Sequence, residues 1–253
     1  MRSILFQGAY WATSIFFAVT AAPLLFVPGR GPTVAWIRLY ARTMTFWMRT
    51  IAGITISVRG RERLPAGPCI IAAKHQSWGD GFVMMAALPD LAFVTGDHLE
   101  KFPLLGGILR KMGAIIVDNC GGAYARARLV DDELKKAQAE NRRILIYPEG
   151  HLAPVGERYR YRRGVFHMYA AYGCPAAPVA TNLGLYWPQQ SWALTPGEAV
   201  IEFLEPIPPG LDKEDFMARL EGAIEKRSLE LIGEPAPERL PPPLPDPHPA
   251  RSA

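Results

Sequence analysis

His75 and Asp80 are the residues of this chain whose types and spacing most directly suggest chemistry. They lie in Lys74-His75-Gln76-Ser77-Trp78-Gly79-Asp80, between two apolar runs. The run before, Cys69 to Ala73, reads as a buried strand. The run after, Phe82 to Leu88, reads as a helix stopped by Pro89. A histidine thus stands where a strand ends, and a carboxylate stands in the first turn of the following helix. That turn can fold back and bring the carboxylate to the imidazole. Such a pair removes a proton from a hydroxyl. Imidazole takes up and returns a proton near neutral pH. A carboxylate on its other nitrogen fixes the tautomer and stabilises the imidazolium. The same residues also admit a plain structural role, because Ser77 and Asp80 have the spacing of a helix-capping box.

Tyr147-Pro148-Glu149-Gly150 repeats the pattern. A buried strand, Ile144 to Tyr147, is stopped by proline, glycine lets the backbone approach something closely, and a carboxylate points into the gap. In parallel sheets, ligands collect at the carboxyl ends of strands. If the two strands run the same way, His75 and Glu149 share one mouth.

The elements that must position these groups follow from periodicity. Ile54 to Arg59, Leu91 to Thr95, Ala114 to Val117, Ala176 to Ala180 and Ala199 to Phe203 read as further strands. Helices are expected from Phe102 through Leu109, over Ala123 to Glu140 with Leu129, Val130, Leu134 and Ala137 on one side, and over Gly164 to Tyr172. Asp212 can cap a last helix carrying Phe216, Leu220 and Ile224 at helical spacing. Strands separated by helices indicate an α/β fold, a mostly parallel sheet flanked by helices. The expected organisation is a membrane-anchoring helical segment over 1–53, a catalytic domain over 54–232 and a Pro-rich disordered tail over 233–253.

Ile4 to Pro28 contains no charged residue and is long enough to cross a bilayer. A cleaved signal peptide, a single span, and a helix that enters one leaflet and turns back at Pro23 to Pro28 all fit it. Thr33 to Gly53 mixes Trp36, Phe46 and Trp47 with Arg38, Arg42 and Arg49, which favours the lipid headgroup level. The arginines follow the apolar run, which puts the main domain on the cytoplasmic side of the inner membrane.

Composition narrows the classes. The net charge of +4, from 28 basic and 24 acidic residues, is too mild for nucleic acid but suits an anionic membrane surface. The three cysteines are far apart, so neither a disulfide framework nor a metal site is expected. Cys174 reads as core. No GxxxxGK and no GxGxxG after a strand is present, which leaves nucleotide-dependent chemistry without support.

His-x4-Asp followed by Pro-Glu-Gly closely resembles the glycerolipid acyltransferases, the family of lysophosphatidic-acid acyltransferases. The likeness covers roughly residues 54–232. It extends to Phe102-Pro103-Leu104-Leu105-Gly106 ahead of Gly113 to Asp118, to Arg163-Gly164-Val165-Phe166, and to Cys174 through Ala180. The resemblance implies an O-acyltransferase without a cofactor. It would move an acyl group from coenzyme A or acyl carrier protein to a lysolipid hydroxyl, most plainly that of 1-acylglycerol-3-phosphate, in a bilayer. His75 would be the general base, Asp80 its orienting group, and Glu149 and Gly150 would shape the acceptor site. Ser77 would cap the helix, and backbone amides near the helix start could stabilise the oxyanion.

The departures from the family pattern fall on one side of the site. Lys74 replaces Asn, Gly96 and Asn119 stand at basic positions, and His151-Leu152 replaces Thr-Arg. Each lost charge-assisted contact to a phosphate is worth about 1.5–3 kcal/mol. Either Lys74 and the cluster Arg158, Arg160, Arg162 and Arg163 supply those contacts, or the acceptor is another lysolipid such as lyso-ornithine lipid. His98 and His151 read as surface histidines. A non-catalytic membrane-binding protein of the same fold is the alternative from another class.

Overall fold

The structure is a computed structural model; it describes residues 1–99, 101–117, 123–235 and 237–247. Asp118, Asn119 and Cys120, and the side chains of His98 and Leu129, lie outside what is described.

Two helices, α1 (Arg2–Ala21) and α2 (Gly31–Trp47), precede the sheet. A 3-10 turn over Ala22–Phe26 joins them, and a π turn over Met48–Ala52 follows α2. The contacts Phe17 to Trp36, Ser14 to Tyr40 and Thr13 to Trp47 run in opposite senses along the two helices, so they form an antiparallel hairpin. The chain turns back at the residues the sequence marked, Pro23 to Pro28.

Next come β1 (Ile54–Arg59), β2 (Ile70–Ala73), α3 (Asp80–Ala87), β3 (Leu91–Gly96), α4 (Pro103–Met112), β4 (Ile115–Val117), α5 (Ala123–Ala139) and β5 (Arg143–Ile146). They are followed by α6 (Gly164–Tyr172), β6 (Ala176–Thr181), β7 (Gly197–Phe203) and α7 (Lys213–Leu231). The strands form one sheet in the order β1-β7-β6-β2-β5-β3-β4. All neighbours are parallel except β6 and β7.

β2 shows why the sheet is covered on both faces. Ile71 and Ala73 face a core shared with Phe6, Met48, Val83 and Leu183. Ile70 and Ala72 face the opposite core, with Val130, Leu134, Val165, Phe216 and Leu220. A strand buried on both sides has no polar alternation, which accounts for the continuous apolar run. Truncating Ile71 to Ala would leave a cavity costing about 2–5 kcal/mol. α7 begins as expected, with the Asp212 carboxylate accepting from the Asp215 N–H at 2.9 Å, a cap worth about 0.5–2 kcal/mol.

The N-terminal hairpin is docked on the domain. Phe6 is fully buried against the Trp187 ring, and Tyr40 meets Phe82 edge-on. Trp11, Ile15, Phe16 and Val19 on its outer side remain exposed.

Candidate active site

Lys74 continues β2, with its N–H donating to Val179 O at 3.0 Å. The chain then turns sharply, and Asp80 opens α3. His75 Nδ1 lies 2.9 Å from Asp80 Oδ2. The same oxygen accepts the N–H groups of Gln76 at 2.8 Å and Ser77 at 2.9 Å. Three donors thus fix one carboxylate that is 2% exposed. A carboxylate only accepts, so its bond holds a proton on Nδ1 and leaves Nε2 for an acceptor hydroxyl. The turn is tight enough to require Gly79, where a Cβ would come within 2.9 Å of the Trp187 ring.

The capping box forms only in part. Asp80 reaches back to the Ser77 N–H, but Ser77 Oγ accepts from the Gly79 N–H at 3.0 Å. Gly79 is the N-cap of α3, so Ser77 closes the preceding turn and does not cap the helix. Of the backbone amides near the helix start, those of Gln76, Ser77 and Gly79 are taken up by Asp80 and Ser77 themselves.

Tyr147, at the end of β5, stacks on the His75 ring with centroids 4.0 Å apart and planes 17° apart. Its hydroxyl is buried with no hydrogen-bond partner, and burial pushes its pKa well above the usual tyrosine value. The sequence had marked Tyr147 only as a strand residue. Neither its contact with His75 nor its orphan hydroxyl has a local signature.

Since β2 and β5 are parallel neighbours, His75 and Glu149 emerge at the same edge. Glu149 is fully buried. Its Oε2 accepts from the Tyr159 N–H at 2.9 Å and from Lys74 Nζ at 3.1 Å, and its Oε1 lies 3.5 Å from the His75 N–H. Lys74 Nζ also donates to Glu157 O and to both carboxylate oxygens of Glu225 on α7, each at 2.9 Å. Tyr161 donates its hydroxyl to Glu225 Oε1 at 2.7 Å. Burial raises the Glu149 carboxyl to about 7, the Lys74 ammonium opposes that rise, and Glu225 adds to it.

Lys74 was expected to face the acceptor's phosphate. Its ammonium is instead 1% exposed and held among two carboxylates and a carbonyl. A buried ammonium needs such partners, so it points inward, with its donors taken up by Glu149, Glu157 and Glu225. Nothing in the α7 sequence signalled Glu225, which reads as one more charge on an amphipathic helix.

Gly150 has φ of 73°, a left-handed turn that lets the chain double back. A Cβ there would meet Arg162 Nε at 3.4 Å. The basic loop divides into two sets. Arg158 pairs with Glu221 and donates to Pro241 O. Arg162 pairs with Asp246 at 2.8 Å and lies 2.9 Å from His151 Nε2. Arg160 and Arg163 are exposed, with Arg163 at the N-cap of α6.

Part of the tail expected to be disordered lies against this loop; its residues 236 and 248–253 lie outside what is described. Leu244 N–H donates to Arg158 O at 2.8 Å, and Asp246 reaches His151 at 3.4 Å as well as Arg162. Proline-rich chain has few donors of its own, yet its carbonyls and one carboxylate fit a basic loop. Between tail and loop lies a cavity of about 490 Å³, lined by Glu149, His151, Arg160, Arg162 and Arg163 on one side and residues 243–246 on the other.

Cys69 and Cys174 are buried, and burial pushes their thiols up to about 11 and about 12. Neither has the thiolate character of a nucleophile. Among the described residues, no group of three or more His, Cys, Asp or Glu is placed to hold a metal ion.

A buried strand ending in histidine, an aspartate locked onto it, and Pro-Glu-Gly on the next parallel strand define a site for activating a hydroxyl. The Acyltransferase family model matches residues 55–182, which include that whole constellation. The chain belongs to the glycerolipid acyltransferases and is an O-acyltransferase. This sets aside the non-catalytic reading. It is 32% identical to a 1-acyl-sn-glycerol-3-phosphate acyltransferase of Pseudomonas aeruginosa, over 78% of this chain and 77% of the relative. It is 28% identical to a lyso-ornithine lipid O-acyltransferase of the same organism, over 79% of this chain and 82% of the relative. The fold matches the crystal structure of the 1-acyl-sn-glycerophosphate acyltransferase PlsC from Thermotoga maritima. That match has a TM-score of 0.73 and 19% identity, and covers 92% of this chain and 99% of the other.

Proposed function

We propose that this enzyme transfers a fatty acyl group from a thioester to the free hydroxyl of 1-acylglycerol-3-phosphate, giving phosphatidic acid. The observation that carries the reading is the His75–Asp80 pair, 2.9 Å apart at the sheet edge where Glu149 also emerges. His75 Nε2 takes the acceptor's hydroxyl proton as the oxygen attacks the thioester carbonyl. The carbon–sulfur bond then breaks, and the departing thiolate takes the proton back from the imidazolium. Asp80 holds the ring and stabilises its charged form. Glu149 and Gly150 shape the acceptor side by fixing the loop that carries Arg162 and Arg163. Base catalysis of this kind contributes about 10²–10⁴-fold. The donor is acyl-coenzyme A or acyl carrier protein, and no cofactor is required.

Acceptor and product are lipids, and the N-terminal hairpin suits a bilayer. The helical stretch Arg2–Phe26, α1 with its 3-10 turn, is long and apolar enough to cross a membrane, and its outer residues Trp11, Ile15 and Phe16 are exposed. The enzyme sits at the inner membrane with its catalytic domain on the cytoplasmic side, a reading supported by the exposed apolar outer face of the hairpin and by the arginines that follow its first helix.

A second reading keeps the chemistry and changes the acceptor to lyso-ornithine lipid or another lysolipid. The inward turn of Lys74 favours it, because that cation is removed from the phosphate side of the site. Turnover of purified enzyme on a panel of lysolipids decides between them. Preference for 1-acylglycerol-3-phosphate supports the first reading, and turnover confined to phosphate-free acceptors refutes it.

A further inference from the structure

Asp246 places a carboxylate on an arginine at the edge of the candidate site. Arg162 donates to it at 2.8 Å, and His151 Nε2, 3.4 Å from its other oxygen, accepts from Arg162 at 2.9 Å and so orients the guanidinium. Arg162 stands directly over Gly150, and His151 follows Gly150 in sequence. The 151–153 stretch is itself tied to the catalytic turn, with Ala153 N–H donating to His75 O at 2.8 Å. The cavity beside the pair is lined by two further exposed arginines, Arg160 and Arg163. A site that holds one carboxylate among several cations fits a phosphate monoester better, because the dianion has more charge and more acceptor oxygens.

We propose that Arg162, held in place by His151, forms the seat for the acceptor's phosphate, and that Asp246 of the C-terminal segment is its built-in competitor. This rests on the reading of 1-acylglycerol-3-phosphate as acceptor. The segment crosses the loop through Pro241 O on Arg158 and Leu244 N–H on Arg158 O, which delivers Asp246 to the seat. Entry of the acceptor's phosphate displaces the Asp246 carboxylate and leaves the rest of the strap in place. The arrangement supplies from new positions the charge that Leu152 cannot. It also makes the tail a brake on low acceptor concentrations.

The test is steady-state kinetics of full-length Arg162→Gln and Asp246→Asn, varying acceptor and donor separately. Arg162→Gln should raise KM for 1-acylglycerol-3-phosphate about tenfold or more. Asp246→Asn should lower the same KM several-fold, a direction that damage to the fold does not produce. Both changes should be in the acceptor's KM and not the donor's. If the donor's KM moves instead, the seat belongs to the donor's phosphates and the proposal is overturned. Unchanged acceptor KM in both variants also overturns it, while leaving the acceptor reading intact. Wild-type turnover only on phosphate-free lysolipids removes the acceptor reading and this inference with it.

Discussion

Lys74 Nζ lies 2.9 Å from both carboxylate oxygens of Glu225, joining the strand that ends in His75 to the C-terminal helix. The ammonium simultaneously holds Glu149. Breaking a buried ion pair by removing one partner typically costs about 3–5 kcal/mol, because the other charges stay buried. Lys74→Met removes the cation shared by Glu225 and Glu149, drives Glu149 further toward its protonated form, and should destabilise the fold by up to that amount. Denaturant unfolding of the variant beside wild type measures it.

The same cluster makes stability depend on pH. Burial raises the Glu149 carboxyl to about 7 from an ordinary value of 4.5. The folded state therefore binds that proton more tightly than the unfolded chain. The contribution is fully present below about 4.5 and is lost as pH rises through about 7. The charged and titratable groups that act on Glu149 are Lys74 at the end of β2, Glu225 from α7 and Tyr161 from the loop, and Tyr159 donates its backbone N–H. Glu149→Gln cannot titrate, so its stability should fall less than that of wild type between pH 5 and pH 7.5. Unfolding curves at the two pH values check this.

Asp80→Asn keeps the size of the side chain but removes its charge, and one oxygen of Asp80 serves His75 Nδ1 and both backbone donors. The amide oxygen in that place leaves the imidazolium without its counter-charge, and the amide nitrogen in that place meets the Gln76 and Ser77 N–H groups and favours the wrong tautomer. The expected result is a drop in kcat of about 10²–10⁴-fold with the acceptor KM nearly unchanged. A matching loss in thermal stability would instead assign Asp80 to folding.

Tyr147 presents a flat ring to His75 and an unpartnered buried hydroxyl to the interior. Tyr147→Phe keeps the stack and removes an unsatisfied polar group, whose burial costs about 1–3 kcal/mol. The variant should melt at or above the wild-type temperature and keep its activity. Tyr147→Ala should lose activity by freeing the imidazole.

Much of this arrangement is legible in the chain. β2 and β5 stand out because strands buried on both faces are apolar without alternation, and the breaks after them expose His75 and Glu149 at once. Asp212 declares the start of α7 by its local cap. Local grammar does not reveal where a charge points. Lys74 reads as a candidate phosphate ligand because it is a cation beside His75 in a site whose other expected basic positions are Gly96, Asn119 and Leu152. Only the long-range approach of Glu225, far along the chain, turns it inward. The tail shows the same gap. Its prolines preclude a core of its own but not docking on Arg158 and Arg162, a contact set entirely by the loop it meets.

The most direct measurement is acyl transfer from a thioester to 1-acylglycerol-3-phosphate by purified wild type and His75→Ala, with equal folding shown by melting curves. Removal of the imidazole should lower kcat by about 10²–10⁴-fold. Equal turnover by the two proteins would contradict the assignment of His75 as the base, and with it the mechanism built on its bond to Asp80.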